Sequence, residues 1–338
     1  MIEFFWAYGL FLAKVVTGLL ALVVVIALVS GSRRQDDQNE LKISNLNLKY
    51  ADLKRQLLQA TLSKKAFKDY QKQQAKKDKQ ESKDKGGDAS AEGSDKAKMF
   101  VLEFEGDIKA SEVVSLRDEV TAVLSVAGPK DEVFLKLDNS GGIVHEHGLA
   151  ASQLKRITDA GISLTVSVDK VAASGGYMMA CVANTIIAAP FAILGSIGVV
   201  AQLPNFNRLL DKAGIDFEQH TAGRYKRTLT MFGKNGKQER EKLKEELEET
   251  HVLFQGFVTD NRPNLDMDKV ATGEHWYGTQ ALALGLVDEI KTSDQFLLES
   301  LDKYDLYQVE IEIKKGLQDR LLGGFLGAIE QLKESLSK

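Results

Sequence analysis

From Met99 to Ala189 the chain alternates short apolar strands with amphipathic helices, and that alternation limits the folds open to it. Met99–Phe104 reads as a strand. Ser111–Val126 reads as a helix, with Val114, Leu116, Val120, Val123 and Leu124 on its apolar side. Glu132–Leu137 alternates as a second strand, Glu146–Ala160 as a helix, Ile162–Val168 as a third strand and Thr185–Ala189 as a fourth. Strands joined by helices at this spacing predict a parallel sheet in an α/β fold. The run 185–203 is apolar enough to suggest a membrane span. Pro190, Gly195 and Gly198 punctuate it, and the alternation runs through it, so strands are expected there instead.

What precedes this body is of a different texture. Residues 4–29 are almost wholly apolar apart from Lys14, long enough for one membrane-spanning helix. A cleaved signal peptide is the alternative, but no Ala-x-Ala-like site follows. Residues 1–32 are therefore expected to anchor the chain in a lipid bilayer, with Trp6 and Tyr8 at the interface. Arg33 and Arg34 directly after the span favour a cytoplasmic body, whereas Lys14 and the free N-terminus pull the other way. Residues 33–98 are net basic although the whole chain carries −4. Leu46, Tyr50, Leu53 and Leu57 fall at helical spacing, which predicts a stalk or surface helix over 40–62. Residues 64–98, rich in Lys, Gln, Asp, Ser and Gly, are expected to form a low-complexity tether. At the far end Leu317, Leu321, Phe325, Ile329 and Leu336 stripe an amphipathic helix over 313–338. The expected divisions are 1–32, 33–98, 99–312 and 313–338.

Composition excludes several chemistries. The single cysteine, Cys181, rules out an internal disulfide, and no Cys/His cluster has zinc spacing, so no metal is expected. No cofactor is implied. The net charge speaks neither for nor against nucleic acid, and none is expected as a partner.

The chemistry concentrates at Val171–Met179, where Ser174 stands at a strand-to-helix turn with Gly175 and Gly176 behind it. A hydroxyl on a tight turn is presented outward. Glycines let a substrate backbone approach, and N–H groups at a helix start can face a developing oxyanion. A helix-capping serine fits the same spacing. The glycine pair Gly141–Gly142 closes the second strand, where a plain turn or a ligand-facing loop are both open readings. A serine alcohol needs a base, and His145, His147, His220, His251 and His275 are available for a Ser–His–Asp arrangement, though no motif ties any of them to Ser174.

Three segments in order, Ala172-Ala173-Ser174-Gly175-Gly176-Tyr177, Gly195-Ser196-Ile197-Gly198-Val199 and Gly223-Arg224-Tyr225-Lys226, resemble the signal peptide peptidase A family of Ser–Lys proteases. The similarity covers roughly residues 98–310. It implies a fold like the ClpP/crotonase unit, a repeated spiral of two strands and a helix. It also implies a catalytic body on the periplasmic face of a bacterial inner membrane, and homo-oligomers in which serine and lysine sometimes come from neighbouring copies. The expected reaction is peptide hydrolysis through an acyl-enzyme on Ser174. Lys226 would act as general base and Ser196 would hold the lysine in place. The N–H of Gly175 and that of Gly141 or Gly142 would form the oxyanion hole. The expected substrates are membrane-released or extended peptides with small or apolar side chains. A solvated lysine is a charged non-base at neutral pH, and desolvating one to titrate near 7–8 costs about 3–5 kcal/mol. Two departures stand out. The family usually has Asn-Ser-Pro-Gly-Gly where this chain has Asp138-Asn139-Ser140-Gly141-Gly142, and a proline where it has Met231. Two rivals remain at this point. One is a crotonase-type acyl-CoA enzyme using an acid such as Glu146, and the other is a membrane scaffold whose active site has lapsed.

Overall fold

A computed structural model of the chain describes residues 6, 8–19, 40–84 and 96–312. The chain divides into its two ends, Met1–Leu41 with Ile311–Lys338, and a body, Lys42–Glu310. Residues 8–19 are helical. Among the described residues no helix is long and apolar enough to cross a membrane. Most of the expected anchor 1–32, part of the expected tether and the whole of the expected helix 313–338 lie outside the described residues.

The body is built on a largely parallel sheet. Its strands are β1 (Glu40–Asn45), β2 (Ala97–Gly106), β3 (Glu132–Asn139), β4 (Ser163–Val168), β6 (Thr185–Ala188), β9 (Glu289–Ile290) and β10 (Tyr304–Glu312), in the order β1-β10-β2-β3-β4-β6-β9. From β10 through β9 every neighbouring pair is parallel. Three short strands branch off: β5 (Val171–Ala173), β7 (Ile193–Gly195) and β8 (His275–Tyr277). β5 lies parallel to the end of β3 and to β7, and β8 runs antiparallel to β7.

Both faces of the sheet are covered, as parallel sheets require. Successive side chains of a strand alternate faces, and β2 shows the division. Phe100, Leu102 and Phe104 enter the larger core, and Met99 and Val101 the smaller. The larger core is closed by α3 (Val113–Leu124) and α4 (Val144–Asp159), through Leu116, Val120, Leu154 and Ile157. The smaller is closed by Leu46 of α1 (Leu46–Thr61) and Leu297 of α10 (Ser293–Ser300). A second strand following directly on β4, then α5 (Gly175–Ala180), makes one strand–strand–helix step of the expected spiral. The apolar run 185–203 contains β6 and β7 rather than a span.

Two expectations for the segment before Met99 are corrected. Glu40–Asn45 is a strand at the edge of the sheet, not the start of a helix. The helix begins only at Leu46, where the Asn45 side chain accepts the Leu48 N–H at 3.0 Å. Such an Asn cap makes an abrupt helix start cheaper than continuing upstream. Lys64–Asp84, expected as irregular tether, is helix α2. The stretch lacks Gly and Pro and is rich in Lys and Gln. High intrinsic propensity outweighs the lack of an apolar face there.

Candidate active site

Three parallel strand ends meet, and the candidate residues follow each of them at once. β3 ends at Asn139 and leads into Ser140–Gly142. β5 ends at Ala173 and leads into Ser174 and Gly175. β7 ends at Gly195 and leads into Ser196. Asn139 pairs with Ala172, and Ala173 pairs with Gly195, so Ser174 and Ser196 leave adjacent strands side by side. Carboxyl ends of parallel strands are where open α/β sheets bind ligands.

The backbone is held in an unusual shape there. Only Ala110, Ser174 and Ser196 among the described non-glycine residues have positive φ, at 47°, 54° and 52°. Two of the three are the site serines. Such conformations persist only where their surroundings over-determine them. For Ser174 the constraint is visible: its N–H donates to Gly195 O at 2.7 Å and its C=O accepts the Met178 N–H at 3.0 Å. The Ser196 N–H donates to Glu274 O at 2.6 Å. Ser174 is half-buried, and its side chain caps nothing, which removes the plain-cap reading.

Behind Ser174, α5 is buried throughout. As the first helical residue, Gly175 has no carbonyl of its own helix to which its N–H could donate. A Cβ on Gly175 would sit 2.4 Å from Cγ of His147. Gly141, at φ +87°, comes as close. A Cβ there would meet Ala173 O and Ser174 Cβ at 2.8 Å and Gly175 N at 2.9 Å. The Gly141 N–H itself donates to Asn139 Oδ1 at 2.6 Å. Of the two loop N–H groups considered for an oxyanion, the one on Gly141 is therefore occupied. Among the described residues no oxygen accepts the Gly142 N–H. The Ile143 N–H, bonded to Ile108 O at 2.9 Å, pins the far side of the loop.

A narrow, mainly apolar cavity opens onto Ser174. Val144, Met178, Val199 and Phe254 line it, with Thr250 and Gly142 at its polar edge. Thr250 and Phe254 come from α7 (Lys237–Asn261), a helix whose place against the site its sequence did not disclose. Lys226 does not line this cavity. It lies exposed in the 222–227 turn, its N–H donating to Gly223 O at 3.2 Å. Beside it in sequence, the Tyr225 ring has the Arg224 guanidinium 5.3 Å and the Lys242 ammonium 5.4 Å from its centroid.

The histidines separate clearly. His145 and His220 are exposed beside Glu146 and Glu218, and His275 is exposed on β8. His251 contacts Ile197 O at 3.2 Å. His147 alone is fully buried against the serine loop, with Nδ1 2.9 Å from Ile143 O and Nε2 3.1 Å from Asn139 Oδ1. Glu146, the acid of the crotonase alternative, does not line the serine cavity. Among the described residues no three His, Cys, Asp or Glu side chains are grouped to hold a metal.

Residues 3–154 match the family described as peptidase family S49 N-terminal, and residues 156–306 match peptidase family S49. The chain belongs to peptidase family S49. A "Probable protease SohB" from Haemophilus influenzae is 50% identical over 321 residues, covering 92% of this chain and 90% of that one. Another "Probable protease SohB", from Buchnera aphidicola, is 47% identical over 333 residues, covering 98% of this chain and 96% of that one. A solved membrane-bound stomatin-specific protease with a bound substrate peptide overlaps 69% of this chain and 99% of its own. Its TM-score is 0.43 at 13% identity, too loose to transfer any residue's role. Family membership makes the chain a serine protease, which sets the acyl-CoA alternative aside.

Proposed function

We propose that Ser174 is the nucleophile of a membrane-anchored endopeptidase and that Lys226 is its general base. The observation that carries this reading is the convergence of the β3, β5 and β7 ends, which sets Ser174, Gly142 and Gly175 around one narrow cavity, with Ser196 leaving the strand next to that of Ser174. In the proposed reaction Ser174 Oγ adds to the scissile carbonyl while its proton passes to the lysine amine. Gly142 and Gly175 N–H groups donate to the oxyanion. The protonated amine then protonates the leaving nitrogen, and water releases the acyl group by the reverse proton path. The apolar lining supports extended, signal-peptide-like substrates with small or apolar side chains.

Lys226 is the part of this scheme that a single copy leaves incomplete. A general base must stand within reach of the hydroxyl whose proton it takes, and Lys226 does not line the Ser174 cavity. The segment that carries it also exposes Leu203, Phe206, Leu209, Ile215 and Phe217. Apolar surface of this extent on a soluble face marks a contact. In the proposed assembly a second copy covers that surface and brings the lysine of one copy to the serine of another. The apolar run 4–29 supports anchorage of the assembly in a lipid bilayer, and the family resemblance supports a catalytic body on the periplasmic side.

A fluorophosphonate reporter tests the nucleophile. Labelling is lost in Ser174→Ala, and labelling that survives that change sinks the assignment. Mixing Ser174→Ala with Lys226→Met, each inactive alone, restores peptidase activity if serine and lysine meet across copies. Without recovery, the lysine must come from the same chain.

A further inference from the structure

We infer that His147 is a positioning residue that holds the oxyanion side of the site in shape, acting through Asn139 on one arm and directly on Gly175 on the other. The inference rests on Ser174 being the nucleophile. His147 enters from the first turn of α4 and is fully buried. Its ring occupies the space where a Gly175 side chain would stand. Its Nε2 lies 3.1 Å from Asn139 Oδ1, and the same oxygen accepts the Gly141 N–H at 2.6 Å.

Donor logic fixes the proton. The Gly141 N–H requires an oxygen at that end of the Asn139 amide, since turning the amide would set two donors 2.6 Å apart. Nε2 of His147 must then carry the hydrogen that reaches Asn139 Oδ1. Nδ1 points at a second oxygen, Ile143 O at 2.9 Å, which also accepts the His147 backbone N–H at 3.1 Å, so both ring nitrogens face acceptors. The other end of the Asn139 amide is equally confined. Its Nδ2 is buried without a partner and fills the space that a side chain on Gly106 would take. An amide left with a buried unpaired donor is costly, so something must compensate for keeping it in this orientation. Two donors converging on Oδ1 do so.

The consequence reaches the oxyanion. With the Gly141 N–H tied to Asn139, the next peptide is set, and that peptide carries the Gly142 N–H. With the imidazole against Gly175, the start of α5 cannot slide toward α4. One ring therefore fixes the spacing of both proposed oxyanion donors. Displacing one such donor costs roughly 100-fold in turnover.

The test compares His147→Leu, which fills the space without a donor, with His147→Gln, which keeps an N–H. In the full chain, His147→Leu should lower kcat and the phosphonate labelling rate by about 100-fold while KM stays within about two-fold, because ground-state binding does not use the oxyanion. His147→Gln should recover at least about ten-fold of that loss. Asn139→Ala should match His147→Leu, and the double variant should be no worse than the worse single, since both act through one unit. Equal losses in the Leu and Gln variants, losses that multiply in the double variant, or a folded His147→Leu protein with the parent kcat would each overturn the inference. If His147→Leu does not fold, Gln against the parent and Asn139→Ala decide it on the same readouts. Persistent labelling in Ser174→Ala would instead mean that the nucleophile assignment has failed.

Discussion

Replacing Gly141 by alanine isolates the contact on which the serine loop depends. Two costs add. The residue sits at φ +87°, and an L side chain in the left-handed region costs about 1–2 kcal/mol. The new methyl would also stand 2.8 Å from Ala173 O and Ser174 Cβ and 2.9 Å from Gly175 N. None of these is the end of a flexible side chain, so backbone must move, and overpacking of that kind costs about 1–3 kcal/mol. The sum, about 2–5 kcal/mol, is a large share of the 5–15 kcal/mol that holds an ordinary domain. Gly141→Ala should therefore fold with a clearly lowered midpoint in thermal denaturation. Its phosphonate labelling should fall by more than the fraction unfolded explains, because the group displaced is Ser174 itself. Gly161→Ala is the control. Gly161 has φ +76°, but nothing lies within 4 Å of its Cβ, so only the conformational term remains, about 1–2 kcal/mol, with labelling unchanged. If Gly141→Ala and Gly161→Ala lose equal stability and both label like the parent, the proposed crowding at the nucleophile is wrong.

Two further measurements probe the frame around the site. Asp288 accepts both Arg262 Nη groups, at 2.9 and 2.7 Å, and the Ile186 N–H at 2.7 Å. Asp288→Asn should cost about 2 kcal/mol, discounted for the partly exposed carboxylate, by weakening its charge-assisted bonds to a mostly buried guanidinium, read as a fall in the thermal midpoint of about 4–8 °C. Burial pushes the Asp288 carboxyl upward, but the bonds from Arg262 and Ile186 outweigh it and hold the group below the usual carboxylate range. A depressed folded-state value means that its stabilisation is full above the unfolded value, about 3.9, and fades as pH falls through the folded one. The gap between parent and Asp288→Asn should therefore narrow only below about pH 4, and a gap that is unchanged there contradicts the ion-pair account. Cys181 is buried, with its thiol pushed up to about 12, chiefly by desolvation. Ellman's reagent at pH 8 should find no thiol in the native chain and one after denaturation, and a reactive native thiol would place Cys181 at the surface.

The parallel frame was legible because its signals are local. β2, β3, β4 and β6 each fall within a residue or two of the apolar runs that announce them, and Ser174 stands where a strand turns into a helix, as its glycines suggest. The segment before Met99 misled because its period was helical while the decisive facts lay far away. Glu40–Asn45 becomes a strand by lying beside β10, more than 250 residues later, and no window around it contains that partner. Lys64–Asp84 misled for the opposite reason, since polarity was taken as irregularity where propensity alone sustains a helix.

The site shows the same division between local and distant information. Ser174 and Ser196 are 22 positions apart, a spacing with no chemical meaning until β5 and β7 are known to be paired and parallel, with Ala173 opposite Gly195. The glycine pair after β3 looked like two interchangeable donors. The side chain two residues before Gly141 decides between them, because Asn139 takes the Gly141 N–H and leaves that of Gly142. The chain also lacks the proline that the family resemblance leads one to expect in this loop, and the sequence alone offered nothing in its place. In the fold the stiffness comes from Asn139 Oδ1, directly before the position of the missing proline, and from Ile108 O and the buried His147 ring, which lie farther off in the chain. A loop held by side-chain polar contacts should be more sensitive to changes at Asn139 and His147 than one held by proline, and for that reason those two positions repay mutation before the nucleophile itself.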